Sequence, residues 1–77
     1  MNWKEENNAL CKTVAFKNFS EAFAFMTQVA MIAETQNHHP IWSNEWNKVH
    51  LKLTTHSEGN VVTEKDRKLA AAIDELL

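Results

Sequence analysis

The chain has 77 residues, 8 basic against 10 acidic side chains, a net charge of −2 and one cysteine, Cys11. A lone cysteine excludes an internal disulfide, no CxxC zinc spacing occurs, and the scattered basic residues make no nucleic-acid footprint. The N-terminal Met-Asn-Trp-Lys-Glu-Glu lacks the apolar core of a secretory signal, and the longest apolar stretch, Val29 to Ala33, is too short to span a bilayer.

The chain is therefore expected to be one soluble, cytoplasmic domain over residues 1–77, with no nucleic-acid or membrane partner. A domain of this size buries about 60–65% of its unfolded surface. With no disulfide or cysteine-based metal site, self-association into a homo-oligomer (dimer or tetramer) through a sheet edge or helix face is the expected support.

In chain order, Trp3 to Phe16 reads as two short strands joined at Asn7-Asn8, residues that accept the positive φ of tight hairpins. Leu10, Val14 and Phe16 share one face, with Lys12 as the exception. The next segment is a helix. Asn18 is its cap, Glu21 stands in the capping-box position, and Ala22, Phe25, Met26, Val29, Ala30 and Ala33 form an apolar stripe. Asn37 is placed to end the helix, and Pro40 disfavours helical geometry at His39.

Trp42 to Trp46 reads as a third strand and Asn47-Lys48 as its turn. In the fourth strand Val49, Leu51 and Leu53 alternate with His50, Lys52 and Thr54, the run closing at His56. Ser57 to Asn60 is a loop with the one glycine. Thr63 to Leu77 opens as a capped helix with Asp66 at its third position and an apolar face of Leu69, Ala72, Ile73 and Leu76. Lys65, Arg67 and Lys68 read as its solvated face. The order ββαββα, with one-sided helices and alternating strands, gives an α+β two-layer sandwich: a four-stranded antiparallel sheet with helices on one face.

The histidines are the chemically telling residues. His38 and His39 follow the first helix immediately before Pro40, and His56 comes seventeen residues after His39. Three converging imidazoles would suit proton transfer near neutral pH without a metal. Two plainer readings compete. Imidazoles at a helix C-terminus favour its dipole, and three histidines are formally enough for zinc, although adjacent residues on a turn point apart and no HExxH pair exists. His50, on the polar side of its strand, reads as a surface residue. Glu34 lies one helical turn before His38, where a carboxylate would favour the protonated ring. Asp66 is explained by its cap but also lies near the loop after His56, where it can orient an imidazole. Trp42 and Trp46 are each suited either to burial or to stacking on a flat ligand.

Glu34, three spacers, His38-His39-Pro40, Trp46 six residues on, His56 ten later and Asp66 ten beyond that form an ordered signature. With Val29-Ala30, Asn47-Lys48-Val49 and Leu53-Thr54-Thr55-His56, it resembles the pterin-4a-carbinolamine dehydratases from Trp3 to Ile73. The resemblance implies dehydration of 4a-hydroxytetrahydropterin to quinonoid dihydropterin, regenerating the cofactor of aromatic amino acid hydroxylases. It implies His38 and His56 as the acid–base pair, His39 in substrate positioning and charge stabilisation, and Glu34, Pro40, Trp42 and Asp66 in substrate-binding or supporting roles. The implied partner is a small-molecule pterin, with no metal or organic cofactor. Relatives often carry a further helix before the first hairpin and a polar or acidic residue where this chain has Ile41. The alternatives are a non-catalytic interaction module of the dimerisation-cofactor type, or a dehydratase-like protein acting on another pterin.

Overall fold

Alternation in the central strands decides where the helices lie. The computed structural model describes residues 3–77. Strands β1 (Lys4–Glu6), β2 (Ala9–Ala15), β3 (Ile41–Glu45) and β4 (Lys48–Leu53) form one antiparallel sheet in the order β1-β2-β4-β3. Leu10 lies opposite Leu53, Lys12 and Trp42 opposite Leu51, and Val14 opposite Val49. The apolar members of this face meet helices α1 (Phe19–Gln36) and α2 (Glu64–Asp74) through Ala22, Phe25, Val29, Ala33, Leu69 and Ile73. The expected α+β sandwich, in the order ββαββα, is the fold observed.

Local chemistry fixes the connections. Asn7 and Asn8 turn the first hairpin with φ of 52° and 62°, the left-handed geometry that asparagine tolerates. The Asn18 side chain accepts the Glu21 N–H at 2.9 Å and starts α1, while the Glu21 carboxylate accepts the Lys17 N–H at 2.9 Å. Lys12, the exception on the apolar face, is matched by the last turn of α2. Its Nζ lies 2.8 Å from Asp74 Oδ1 and 5.5 Å from the Trp3 ring centroid, and the Trp3 indole N–H donates to both Asp74 oxygens at 3.0 and 3.1 Å.

Four expectations are corrected. Ala30 is exposed, just past the edge of the buried stripe, and Ile32 packs at the margin of the core instead. The second hairpin turns at Trp46-Asn47, one residue earlier than Asn47-Lys48, with Trp46 at φ 49° and 67% exposed. Side-chain hydrogen bonds hold this register: Asn44 donates to the Trp46 and Lys48 carbonyls at 3.2 and 2.7 Å, and Asn47 donates to the Phe16 carbonyl at 2.9 Å. Strand β4 ends at Leu53, so His56 opens a short 3₁₀ turn, His56–Glu58, that Gly59 closes at φ 88°. Finally, α2 stops at Asp74, and Ala70 is buried where Ala72 is only half-buried.

The end of α1 positions the histidines. Asn37 adopts φ 52° and ψ 41°, its N–H donates to the Glu34 carbonyl at 3.1 Å, and the His38 N–H reaches back to the Ala33 carbonyl at 3.0 Å. This is a Schellman-type closure, and only glycine and asparagine enter it cheaply. Replacing Asn37 by Ala should cost about 1–2 kcal/mol, whereas Asn37→Gly should leave the urea unfolding midpoint near that of the wild type. Equal midpoints for both variants would contradict this role.

Candidate functional site

The reversal at Asn37 also changes which carboxylate serves which imidazole. Had the helix continued, Glu34 would lie beside His38. With the helix ended, Glu34 Oε1 instead meets His39 Nε2 at 2.9 Å, and both side chains are largely exposed. The expected Glu34–His38 relation is therefore corrected, because the one-turn spacing rule holds only inside a helix. A pair this exposed contributes little to stability, but it does orient the His39 ring.

His38 turns inward. Its side chain is 12% exposed, and Nε2 lies 2.6 Å from Oδ1 of Asp66, whose side chain is wholly buried. The other oxygen of Asp66 accepts the Thr63 N–H at 2.9 Å and the Thr55 hydroxyl at 2.7 Å. The hydroxyls of Thr55 and Thr63 are themselves 2.6 Å apart, and Thr63 Oγ1 accepts the Lys65 N–H at 3.3 Å. Asp66 thus completes the cap of α2 with one oxygen and holds an imidazole with the other.

Burial by itself would raise the Asp66 pKa. The hydrogen bonds from His38, the Thr63 N–H and Thr55, together with the charge of His38, outweigh it and hold the carboxyl below its ordinary value of 3.8.

His56 approaches from the other side, on the 3₁₀ turn. Its Nδ1 lies 2.8 Å from Asn60 Oδ1, and Asn60 is held at φ 61° with its N–H donating to the Thr55 carbonyl at 3.0 Å. His38, His39 and His56 line one cleft of about 420 Å³, together with Asn37, Thr54, Thr55, Ser57 and Lys65. That volume lies in the range of small-molecule sites.

Of the other residues singled out, Asp66 stands directly behind His38, while Glu34, Pro40 and Trp42 do not line the cleft. Pro40 is half-buried just before β3, and Trp42 packs at the margin of the core. His50 stands on the opposite face of the sheet, between Thr13 Oγ1 at 3.0 Å and Glu45 Oε1 at 3.4 Å. A shallow saddle of about 320 Å³ lies there, also lined by Cys11, Ser43 and Lys52. No buried carboxylate backs its imidazole, so it lacks the arrangement found at His38. Among the described residues, no group of three or more His, Cys, Asp or Glu side chains is disposed to hold a metal ion.

The residues that sequence reasoning missed are Thr55, which supports Asp66, Asn60, which holds His56, and Lys65, which lines the cleft instead of serving only as solvated helix surface. Thr63 was legible only as a cap. The signal available for Thr55 was a polar residue placed next to a candidate histidine at a strand end.

The Asp66 environment has a pH signature. A carboxyl whose folded-state pKa is depressed contributes its full stabilisation above the ordinary value of 3.8 and loses it as pH falls through the lower folded-state value. Asp66→Asn should remove this component, so its stability, measured by urea titration, should fall less steeply than that of the wild type below about pH 4. Parallel acid limbs for the two proteins would count against the assignment.

Comparison with known proteins gives a consistent answer. Residues 1–76 match the family described as pterin 4 alpha carbinolamine dehydratase. A protein of Prochlorococcus marinus, provisionally named a pterin-4-alpha-carbinolamine dehydratase, is 48% identical over 75 residues, covering 97% of this chain and 78% of the relative. One of Synechococcus with the same provisional name is 50% identical over 74 residues, covering 96% and 78%. Among solved structures, a transcriptional coactivator/pterin dehydratase from Brucella melitensis superimposes with a TM-score of 0.89 at 44% identity, over 95% of this chain and 79% of that one. A pterin dehydratase-like protein identified as a RuBisCO assembly factor in the alpha-carboxysome gives 0.82 at 26% identity, over 99% and 89%. With its signature residues, its fold and these likenesses in agreement, the chain belongs to the pterin-4a-carbinolamine dehydratase family.

Proposed function

We propose that the protein is a 4a-hydroxytetrahydrobiopterin dehydratase, a hydro-lyase that forms quinonoid dihydropterin and water in tetrahydrobiopterin recycling. In this reading it works in the cytoplasm as a homo-oligomer, without a cofactor. The observation that carries the reading is the cleft shared by His38, His39 and His56, with His38 backed by the buried Asp66 carboxylate.

The reaction breaks the bond from C4a to the hydroxyl oxygen and forms a double bond between C4a and N5. An imidazolium gives a proton to the departing hydroxyl, which leaves as water. The N5 lone pair forms the new double bond, and a neutral imidazole takes the N5 proton. One proton enters and one leaves, so two positioned imidazoles suffice. His38 and His56 form this pair, and His39, held by Glu34, positions the pterin. Pro40 and Trp42 act from outside the cleft, one fixing the turn after His39 and the other anchoring the start of β3.

A second reading is an interaction module without catalysis. It draws support from the likeness to a dehydratase-like assembly factor and from the exposed Phe19, Phe23, Met31, Ile41 and Trp46. A third retains dehydration but on a different pterin, because the cleft's polar lining does not single out one pterin substituent.

Absorbance-followed decay of freshly generated 4a-hydroxytetrahydrobiopterin, with a chelator present, tests the reading. The wild type should accelerate decay, and His38→Ala or His56→Ala should each lose about 10²–10⁴-fold without a change in oligomeric state. Wild-type decay at the buffer rate would sink the dehydratase and leave the interaction module in front.

A further inference from the structure

We propose that Thr55 is a positioning residue that sets the tautomer of His38. Its hydroxyl, supplied with a hydrogen bond by Thr63, keeps Asp66 an acceptor-only carboxylate. Neutral His38 is thereby held with its proton on Nε2, and Nδ1 is the nitrogen that exchanges protons with substrate. The catalytic part of this inference rests on the dehydratase reading above.

Each threonine hydroxyl has one proton to donate. The Thr55 proton goes to Asp66 Oδ2 at 2.7 Å, so the 2.6 Å contact between the two hydroxyls takes its proton from Thr63. Asp66 Oδ2 also accepts the Thr63 N–H at 2.9 Å, and two donors fill the lone pairs of that oxygen. Among the described residues, Asp66 Oδ1 is left to His38 alone, at 2.6 Å. An ionised carboxylate only accepts, so the proton in that contact belongs to His38 Nε2. An aspartate–histidine contact without these donors would leave the proton's place open. Because Thr55 is 1% exposed, solvent does not take over from a lost hydroxyl.

The same residue reaches the second imidazole. The Thr55 carbonyl accepts the Asn60 N–H at 3.0 Å, and the Asn60 side-chain oxygen lies 2.8 Å from His56 Nδ1. An amide oxygen accepts only, so the proton there is on His56 Nδ1 and its Nε2 is free. Thr55 thus governs the two sides of the cleft differently. Its side chain, through Asp66, frees Nδ1 of His38, and its backbone, through Asn60, supports a ring with Nε2 free.

Nitrogen-15 NMR of histidine-labelled protein, taken at a pH where the rings are neutral, reads the tautomers directly. The wild type and Thr55→Ser should both show His38 protonated on Nε2. Thr55→Val should lose that signature and, with KM little changed, lose about 10²-fold in kcat, the scale expected when a catalytic group is misplaced by about 1 Å. A Thr55→Val protein that keeps the Nε2–H signature, or keeps the wild-type kcat, overturns the proposal. If the wild type lacks dehydratase activity but its tautomer still shifts in Thr55→Val, the proposed reaction falls and the tautomer lock is supported. Should the valine prevent folding, Thr55→Ala removes the same hydroxyl without adding a methyl group, and an unchanged His38 tautomer there also overturns the lock.

Discussion

The structure turns on one buried carboxylate. A wholly buried aspartate is tolerable only when hydrogen-bonded and paired, and Asp66 meets that demand with donors from three separate parts of the chain. His38 comes from the turn after α1, Thr55 from the segment after β4, and Thr63 from the cap of α2. Removing one donor leaves charge in a place water does not reach. The requirement that builds the α2 cap therefore also joins the two histidine-bearing segments, so fold and candidate site share their central interaction.

This sharing sets the chemical character of the cleft. His38 rests on a charged group and His56 on a neutral amide, while His39 is held at the surface by Glu34. Three copies of one side chain are thus placed in three different electrostatic settings within about 420 Å³. A reaction that needs one proton delivered and another removed is suited to that inequality.

Much of the fold was legible because it rests on local rules. The cap at Asn18, the stripe through Val29 and the alternation of Val49, Leu51 and Leu53 each follow from one period or one hydrogen bond. The misreadings arose where distant segments meet or where a local element ends. Lys12 looked like a break in an apolar face until Asp74, 62 residues away, supplied its partner. Trp46 looked suited to burial but occupies a left-handed turn position that Asn44 and Asn47 stabilise. In the site, the histidines and Asp66 stood out by type and spacing. Thr55 did not, because its one signal was its place beside His56, and its importance comes from a residue eleven positions later. Glu34 was given the wrong imidazole because a helical spacing was carried past the helix end.

The Trp3–Lys12–Asp74 contact bears on what can cover the apolar face of the sheet. Trp3 and Asp74 are 71 residues apart, so the contact ties the segment before β1 to the last turn of α2. Without the last turn of α2, Lys12 would stand unpaired on the sheet face that carries Leu10, Val14 and Leu51. An unpaired ammonium there opposes burial of that face. The lysine thereby makes the face selective: it closes at low cost only beneath a surface that brings a carboxylate to meet the ammonium, as α2 does with Asp74.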